Sequence, residues 1–300
     1  MASSASQIRQ VGEAAIEVLE RQHWMDNIAT RLQSAVAGAF AAAGDSGRRV
    51  RDFLHGTWLG HPLHPVLTDI PIGAWTSALV LDAAASDRNG LSRAADAAIA
   101  VGLAGAAGAA VTGLTDWQHT ADEDRRVGLT HGMLNMSAAA LYVTALTLRR
   151  GGSRDLGRVL AGAGFLVAIT AAYIGGNLVY RKRLGVDHAE RPGSWTDFVA
   201  VLRDEELEEG RPRRLEAKGV AIALARRQGR VYAIGERCAH LGGPLSEGTL
   251  EGDALRCPWH GSLFALEDGR VLEGPSTFPQ PCFETRVRAG RIEVRPRASA

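Results

Sequence analysis

Two cysteines and two histidines stand in two close pairs near the C-terminal end of the chain. The first pair is Cys238-Ala-His240 and the second is Cys257-Pro-Trp-His260, with sixteen residues between His240 and Cys257. Thiolates and neutral imidazoles are ligands for zinc and for the iron of iron–sulfur clusters. The spacing therefore predicts a metal centre with four protein ligands, contributed in pairs by two separate loops.

The residues around the two pairs narrow the kind of centre. They read His240-Leu-Gly-Gly-Pro244 and His260-Gly-Ser262-Leu-Phe264. With these flanks, about residues 195–297 resemble the Rieske [2Fe–2S] domain, including an Asp268-Gly269 turn and a Gly274-Pro275 segment in the place of the family's proline-containing loop. The resemblance implies that the cysteines hold one iron and the histidines the other. It also implies amide hydrogen bonds to sulfur and imidazoles at the solvent edge.

Four positions indicate which branch of that family the chain resembles. The respiratory branch has an extra cysteine after each ligand pair, whereas Gly243 and Trp259 stand here, so the ferredoxin-type branch fits better. Ser262 is expected to donate a hydrogen bond to a sulfur. Phe264 replaces a tyrosine of high-potential members, which predicts a low to intermediate potential. A structural zinc site is the alternative, although the C-x-H pair is not the usual zinc-finger spacing.

The composition excludes several other classes of protein. The net charge is +1 over 300 residues, and no stripe of Lys and Arg predicts a nucleic-acid partner. Of three cysteines, Cys282 has no free partner, so a disulfide framework is not expected. We expect Cys282 to be a buried structural thiol. Residues 1–10 show no export signal.

The middle of the chain is apolar enough to enter a membrane. Four stretches, about 65–85, 95–117, 130–148 and 157–180, approach the ~20 residues that a spanning helix requires. The sequence therefore predicts a multi-domain chain: an all-α four-helix transmembrane bundle followed by a small all-β domain. The alternative is a soluble four-helix bundle. The expected domains are an amphipathic helical segment at 1–54, the transmembrane domain at 55–185, and the linker and Rieske domain at 186–300.

Charge on the connecting segments predicts the orientation in the membrane. Eight Lys and Arg residues lie on the side of both termini and six on the opposite side. This bias, with the missing export signal, favours a multi-pass protein of the bacterial inner membrane with the Rieske domain in the cytoplasm. Membrane lipid is then one of its partners.

The apolar region also carries motifs of its own. Gly60-His61-Pro-Leu-His64-Pro, Thr115-Asp116-Trp117 and His131-Gly-Met-Leu-Asn135 resemble a bacterial four-helix membrane domain of unknown function, over about residues 55–185. That resemblance implies a fold and no activity.

Histidines recur where these helices begin and end. Five are expected on one side of the membrane, and the residues concerned are His61, His64, His119, His131 and His188. Such polar residues at a bundle's edge predict a function. One hypothesis is a b-type haem held by His64 and His131, with Asp69 and Asp116 as orienting acceptors. A second is a quinone pocket, and a third is that the histidines only cap helices.

These patterns favour a membrane-anchored Rieske electron-transfer protein over a self-contained enzyme. It would exchange single electrons with a redox protein partner or a membrane quinone near His240 and His260, and no residue is assigned as catalytic. Two alternatives stay open. One is a quinol- or haem-linked oxidoreductase with a second redox site in the bundle, and the other is a sensor whose bundle is an anchor.

Overall fold

The computed structural model describes residues 4–85, 90–193 and 195–297, which fold into two compact units. One unit contains the chain up to Arg48 together with Leu63–Leu184, and it is helical. The other contains Arg49–Pro62 together with the residues from Gly185 onward, and strands dominate it. The multi-domain fold class, helices followed by a small β domain, is confirmed.

Seven α-helices precede the first strand among the described residues. They are α1 (Ser4–Glu20), α2 (Asp26–Ala42), α3 (Gly44–His55), α4 (Leu63–Ala84), α5 (Leu91–Trp117), α6 (Asp122–Arg150) and α7 (Arg154–Tyr180). Helix α3 begins at Gly44, whose positive φ of 55° lets the chain turn between α2 and α3.

Helices α4 to α7 form two tight hairpins, α4 with α5 and α6 with α7. Among the described residues, three helices are long and apolar enough to cross a membrane: α4, α5 and α7. Helix α6 has 29 residues, but His131, Asn135 and the charged residues at both ends make it less apolar. The fourth predicted span therefore remains a prediction.

Ten strands make two antiparallel sheets in the second unit. They are β1 (Val199–Arg203), β2 (Arg213–Ala217), β3 (Val220–Arg227), β4 (Arg230–Gly235), β5 (Thr249–Glu251), β6 (Ala254–Arg256), β7 (Leu263–Ala265), β8 (Val271–Glu273), β9 (Cys282–Arg288) and β10 (Arg291–Pro296). The six-stranded sheet has the order β1-β10-β9-β4-β3-β2, and the four-stranded sheet has the order β5-β6-β7-β8.

Two hairpins of the six-stranded sheet, β3–β4 and β9–β10, have short turns. Each turn has two successive residues with positive φ, Gln228-Gly229 and Ala289-Gly290. This is the backbone that a two-residue hairpin needs to match the strand twist. Three loops adjoin the four-stranded sheet. Residues 236–248 connect β4 to β5, residues 257–262 connect β6 to β7, and residues 274–281 connect β8 to β9.

Candidate metal centre

The two cysteine loops close on themselves in the same way. The Cys238 amide donates to the Gly243 carbonyl at 2.8 Å, and the Cys257 amide donates to the Ser262 carbonyl at 2.8 Å. In return, the amides of Gly242 and Gly261 donate to the carbonyls of Cys238 and Cys257 at 2.8 and 3.1 Å. Gly242 and Gly261 both have positive φ, 78° and 81°. Glycine therefore permits each loop to return beside its cysteine.

The loops bring the two sulfur atoms together in the interior. Cys238 and Cys257 are 1% and 2% exposed. Their thiols share a hydrogen bond, and this bond together with the amides of Trp259 and His260 lowers the pKa of Cys257 to about 7, against the opposing effect of burial. The shared hydrogen bond and burial raise the pKa of Cys238, while the amides of His240 and Leu241 donate to its sulfur and oppose that rise. Amide donors around both sulfurs favour negative charge there, as a metal–thiolate centre requires.

The two imidazoles of the quartet also meet. The ring centroids of His240 and His260 lie 5.0 Å apart and the planes are nearly perpendicular, at 86°. Burial lowers the pKa of both histidines, and the neighbouring imidazoles of His260, His55 and His188 lower that of His240 further. The neutral form, which is the metal-binding form, is therefore favoured.

The two edges of this histidine pair differ in accessibility. Both imidazoles are half-buried rather than exposed. His55, which is 1% exposed, and His188 lie close to His240, and the His188 amide donates to the Ala239 carbonyl at 2.9 Å. On the other side, Trp259 beside His260 is 57% exposed. The open approach to the pair is therefore on the His260 side.

The third loop supports the first two through Gln280 and Ser276, which no sequence motif indicated. Gln280 is 3% exposed. In the orientation of its side-chain amide that satisfies both ends, the nitrogen donates to the Arg237 carbonyl at 3.2 Å and the oxygen accepts from the Ala239 amide at 2.6 Å. Ser262 is fully buried, and its Oγ accepts from the Ser276 amide at 2.9 Å. The Ser262 hydroxyl proton thus remains available for a sulfur acceptor.

Two carboxylates also support the loops, Asp52 from outside them and Glu236 from within the first loop. Asp52 of α3 accepts a hydrogen bond from the Gly274 amide at 3.1 Å, and burial raises the pKa of its carboxyl group. Glu236 is 3% exposed and accepts from both the amide and the hydroxyl of Ser246, at 3.1 and 2.7 Å. Asp52 lies 222 positions before Gly274, so no local pattern could reveal this contact.

Gly243 and Trp259, which stand where the respiratory branch has its extra cysteines, lie close to each other. A Cβ placed on Gly243 would lie 3.0 Å from both Cys257 Sγ and the Trp259 ring. The three cysteines are free, and Cys282 is partly buried with its pKa raised to about 11 by burial. The loops are thus joined here by a glycine–tryptophan contact.

The donor set suits a two-iron cluster. Two buried sulfurs with amide donors and two neutral imidazoles come from two loops of matching form, which is the ligand chemistry of a Rieske centre. Among the described residues, no three or more His, Cys, Asp or Glu side chains converge on one point. A Rieske cluster needs only two protein ligands for each iron.

In the helical unit the structure brings together two of the five histidines considered from the sequence. The ring centroids of His64 and His131 are 6.3 Å apart. Their Nδ1 atoms are hydrogen-bonded to the carbonyls of Ala109 and Ala171, not to Asp69 or Asp116 as we expected. Asp69 is exposed, whereas the two carbonyls belong to the neighbouring helices and lie within hydrogen-bonding distance of the imidazoles.

The other three histidines take different positions. His61 is exposed and its Nδ1 lies 3.2 Å from the Pro62 carbonyl. His119 follows α5, and its amide donates to the Asp116 carbonyl at 3.3 Å. His188 belongs to the β-rich unit, beside the first cysteine loop.

Comparison with known families and proteins agrees with both halves of the chain. Residues 197–284 match the Rieske [2Fe-2S] domain, and residues 60–188 match a family described as predicted membrane protein (DUF2231). Ferredoxin CarAc of Metapseudomonas resinovorans is 35% identical over 98 residues, which cover 32% of this chain and 92% of that protein. The 3-phenylpropionate/cinnamic acid dioxygenase ferredoxin subunit of Escherichia coli (strain K12) is 39% identical over 90 residues, covering 30% and 84% respectively.

Other relatives share only this domain. Human apoptosis-inducing factor 3 is 31% identical over 97 residues, which are 32% of this chain and 16% of that protein. Among solved structures, the ferredoxin of carbazole 1,9a-dioxygenase from Nocardioides aromaticivorans IC177 is 25% identical, with a TM-score of 0.33, over 34% of this chain and 100% of that chain. By the first two relatives and the family match, the chain belongs to the Rieske [2Fe–2S] family and joins that domain to a DUF2231 membrane-protein domain.

Proposed function

We propose that this protein is a membrane-anchored Rieske electron-transfer protein that exchanges single electrons with a redox protein partner. The observation that carries the proposal is the meeting of two buried cysteines and two neutral histidines from matching loops. Cys238, His240, Cys257 and His260 would hold the cluster, the cysteines on one iron and the histidines on the other. The bound cluster supplies reversible one-electron chemistry, and the chain supplies position, potential and docking.

The chain's own groups set the environment of the cluster. The amides of His240, Leu241, Trp259 and His260 point at the cysteine sulfurs and stabilise added negative charge. Ser262 would add a hydroxyl donor, and Gln280 and Asp52 hold the loops that exclude water. Phe264 provides no hydroxyl, so the potential is expected in the low to intermediate range.

The partner would approach on the His260 side. Trp259 is 57% exposed and Pro258 is exposed beside it, whereas His55 and His188 occupy the His240 side. Exposed aromatic residues commonly anchor protein interfaces. Relatives named as dioxygenase ferredoxin subunits suggest that a protein oxygenase is one kind of partner. A membrane quinone is the alternative donor.

The helical unit would anchor the protein in the bacterial inner membrane. Three apolar helices support this, and α6 would be the fourth span, with lipid around the bundle. The Lys and Arg bias, eight against six, favours a cytoplasmic Rieske domain.

A second candidate function is a quinol- or haem-linked membrane oxidoreductase with another redox site in the bundle. The specific observation in its favour is the approach of His64 and His131 to a centroid distance of 6.3 Å. In a quinone pocket one of these imidazoles would accept or deliver the proton. In a haem site both would bind iron.

Electron transfer by the full-length protein in detergent tests the first proposal. The protein is reduced with one equivalent of dithionite and mixed with oxidised cytochrome c as an acceptor, while cluster absorbance is followed by stopped flow. We expect rapid one-electron reoxidation in wild type and none in Cys257→Ala. Trp259→Ala is expected to slow the bimolecular step and leave the potential unchanged. Wild type that is no faster than Cys257→Ala would refute the proposal.

A further inference from the structure

His64 of α4 and His131 of α6 have the same hydrogen-bond arrangement. Their ring planes are 87° apart, and each Nδ1 lies on a carbonyl of the partner helix in its hairpin, Ala109 at 2.8 Å and Ala171 at 2.9 Å. A carbonyl can only accept, so each Nδ1 carries the proton and each Nε2 keeps its lone pair. Metal-binding histidines are commonly fixed in this way.

The separation of the two rings fits ligands on opposite sides of one metal ion. With a metal–nitrogen bond of about 2.0 Å and about 1.2 Å from nitrogen to ring centroid, two imidazoles in trans have centroids roughly 6.4 Å apart, and two at a tetrahedral angle have them roughly 5.2 Å apart. The observed value for His64 and His131 is 6.3 Å. The value for His240 and His260, proposed ligands of a tetrahedral iron, is 5.0 Å.

The two histidines occupy equivalent places in an internal repeat. Residues of α4 pair across the bundle with residues of α6 that lie 67 positions later, and the α5 residues that contact them recur in α7 after 62 positions. The pairs are His64 with His131, Trp75 with Tyr142, and Asp82 with Arg149. The recurring contact residues are Gly102 and Gly164, Ala109 and Ala171, and Gly113 and Gly175. The histidine pair thus lies where two similar hairpins face each other.

A glycine lies against each imidazole. A Cβ on Gly113 would lie 2.8 Å from His64 Cε1, and a Cβ on Gly175 would lie 2.9 Å from His131 Cε1. Real Cβ contacts are essentially never so short, so each ring can rest on its helix only because these residues are glycine. The two ring positions are therefore fixed by the backbone of α5 and α7.

Different contacts join the two hairpins along their length. At the far end Arg149 forms ion pairs with Asp82 and Asp96. Further along, Trp75 and Tyr142 stack with centroids 4.2 Å apart. At the histidines the spacing is 6.3 Å, and the hairpins pack against each other more loosely than the helices within each hairpin. The histidine end is therefore the place where the hairpins offer ring nitrogens to a ligand, rather than a ring stack or ion pairs.

We propose that His64 and His131 are the two axial ligands of a b-type haem bound between the hairpins. The proposal deepens the second candidate function above and rests on it. Two protein ligands in trans leave four positions of an octahedral metal, and a porphyrin fills four. Asn135 Nδ2 lies 3.2 Å from His131 Nε2 and 2.9 Å from the His131 carbonyl, so the amide keeps a partner when Nε2 binds metal.

Haem content of the full-length protein tests this proposal. The protein is expressed with δ-aminolevulinic acid, purified in detergent, and measured by pyridine haemochrome assay and by metal analysis. Wild type and His61→Ala are expected to retain about one haem per chain, because His61 is exposed and is not one of the two proposed ligands. The haem content of His64→Ala and of His131→Ala is expected to be at least about tenfold lower than that of wild type. Cys257→Ala should lose the cluster and keep the haem.

Three outcomes would overturn the proposal. The first is wild type that carries the Rieske signal but no porphyrin. The second is a metal that His64→Ala removes although no porphyrin absorbs, which would identify a bare ion. The third is haem that both histidine variants retain. Circular dichroism and the Rieske signal of each variant show that it has folded, so loss of haem is not misread. Failure of the cluster proposal would appear separately, as a missing iron–sulfur signal in protein that keeps its haem.

Discussion

The molecule contains two histidine pairs built in opposite ways. His240 and His260 lie on loops, 20 positions apart, with ring centroids at 5.0 Å, and each is fixed by a turn beside its own cysteine. His64 and His131 lie on long helices, 67 positions apart, with centroids at 6.3 Å. In the two proposals, this difference of 1.3 Å corresponds to that between a tetrahedral pair and a trans pair of ligands. Histidine pairs would thus suit different iron centres because different elements, loops in one case and helices in the other, set the distance between the two rings.

The largest expected effect is on the loop pair. Cys257→Ala removes one of two thiolate ligands, so we expect complete loss of the Rieske signal in electron paramagnetic resonance. Cys282→Ala is the matched control, because Cys282 is partly buried, lies outside the quartet, and should leave the signal intact. A Rieske signal that survives in Cys257→Ala would contradict the ligand assignment.

The next largest effect is on the Arg149 ion pairs, at the end of the hairpins far from the histidines. The Arg149 side chain is fully buried between Asp82 and Asp96, so Arg149→Ala removes the cation that they share and leaves them with the partly exposed Arg158 and Arg154. We expect a loss of about 3 kcal/mol in the stability of the helical unit, at the low end for a broken buried ion pair because these arginines remain, measured by thermal unfolding in detergent. The potential of the cluster should not change. Arg150→Ala, at the exposed neighbouring position, is the control. An equal loss of stability in that variant would argue against a specific role of the Arg149 ion pairs.

A smaller effect tests the repeat itself. Gly113→Ala and Gly175→Ala place a methyl group against His64 and His131, and we expect both to weaken haem retention by about tenfold and to the same extent. Gly162→Ala in α7 meets nothing within 4 Å and should retain haem, with a helix more stable by up to about 1 kcal/mol. Competition for bound haem by an apo-haem scavenger protein measures the three. Unequal effects of the first two would break the equivalence of the hairpins.

The smallest effect concerns a single hydroxyl at the loop pair. Ser262→Ala removes the proposed donor to sulfur, so we expect the midpoint potential to fall by on the order of 60 mV, which is tenfold in the equilibrium constant of a one-electron couple. Ser276→Ala keeps the backbone amide that donates to Ser262 Oγ, and its potential should match wild type. Potentiometric titration decides between them. An unchanged potential in Ser262→Ala would remove the hydroxyl from the account.

The sequence reveals the loop pair more readily than the helix pair, for physical reasons. Ligands held by local turns leave a short motif, and the glycines and hairpins around Cys238 and Cys257 can be read from neighbouring residues. Gln280 and Asp52 could not be predicted, because their contacts join residues distant in the chain. Helical position indicates His64 and His131 as candidates. Their separation, however, depends on Gly113 and Gly175 and on the correspondence between the two hairpins, which few identical residues mark in the sequence. The orienting carbonyls were missed because backbone groups leave no sequence signal.

The most direct test of the central comparison is a reduced-minus-oxidised optical spectrum of the full-length, haem-replete protein in detergent. The account predicts two components in one chain. Broad iron–sulfur bleaching should depend on Cys257, and a sharp haem α-band should depend on His64 and His131. A spectrum with broad bleaching alone would contradict the trans pair, and a spectrum with no bleaching from iron-loaded protein would contradict the Rieske centre.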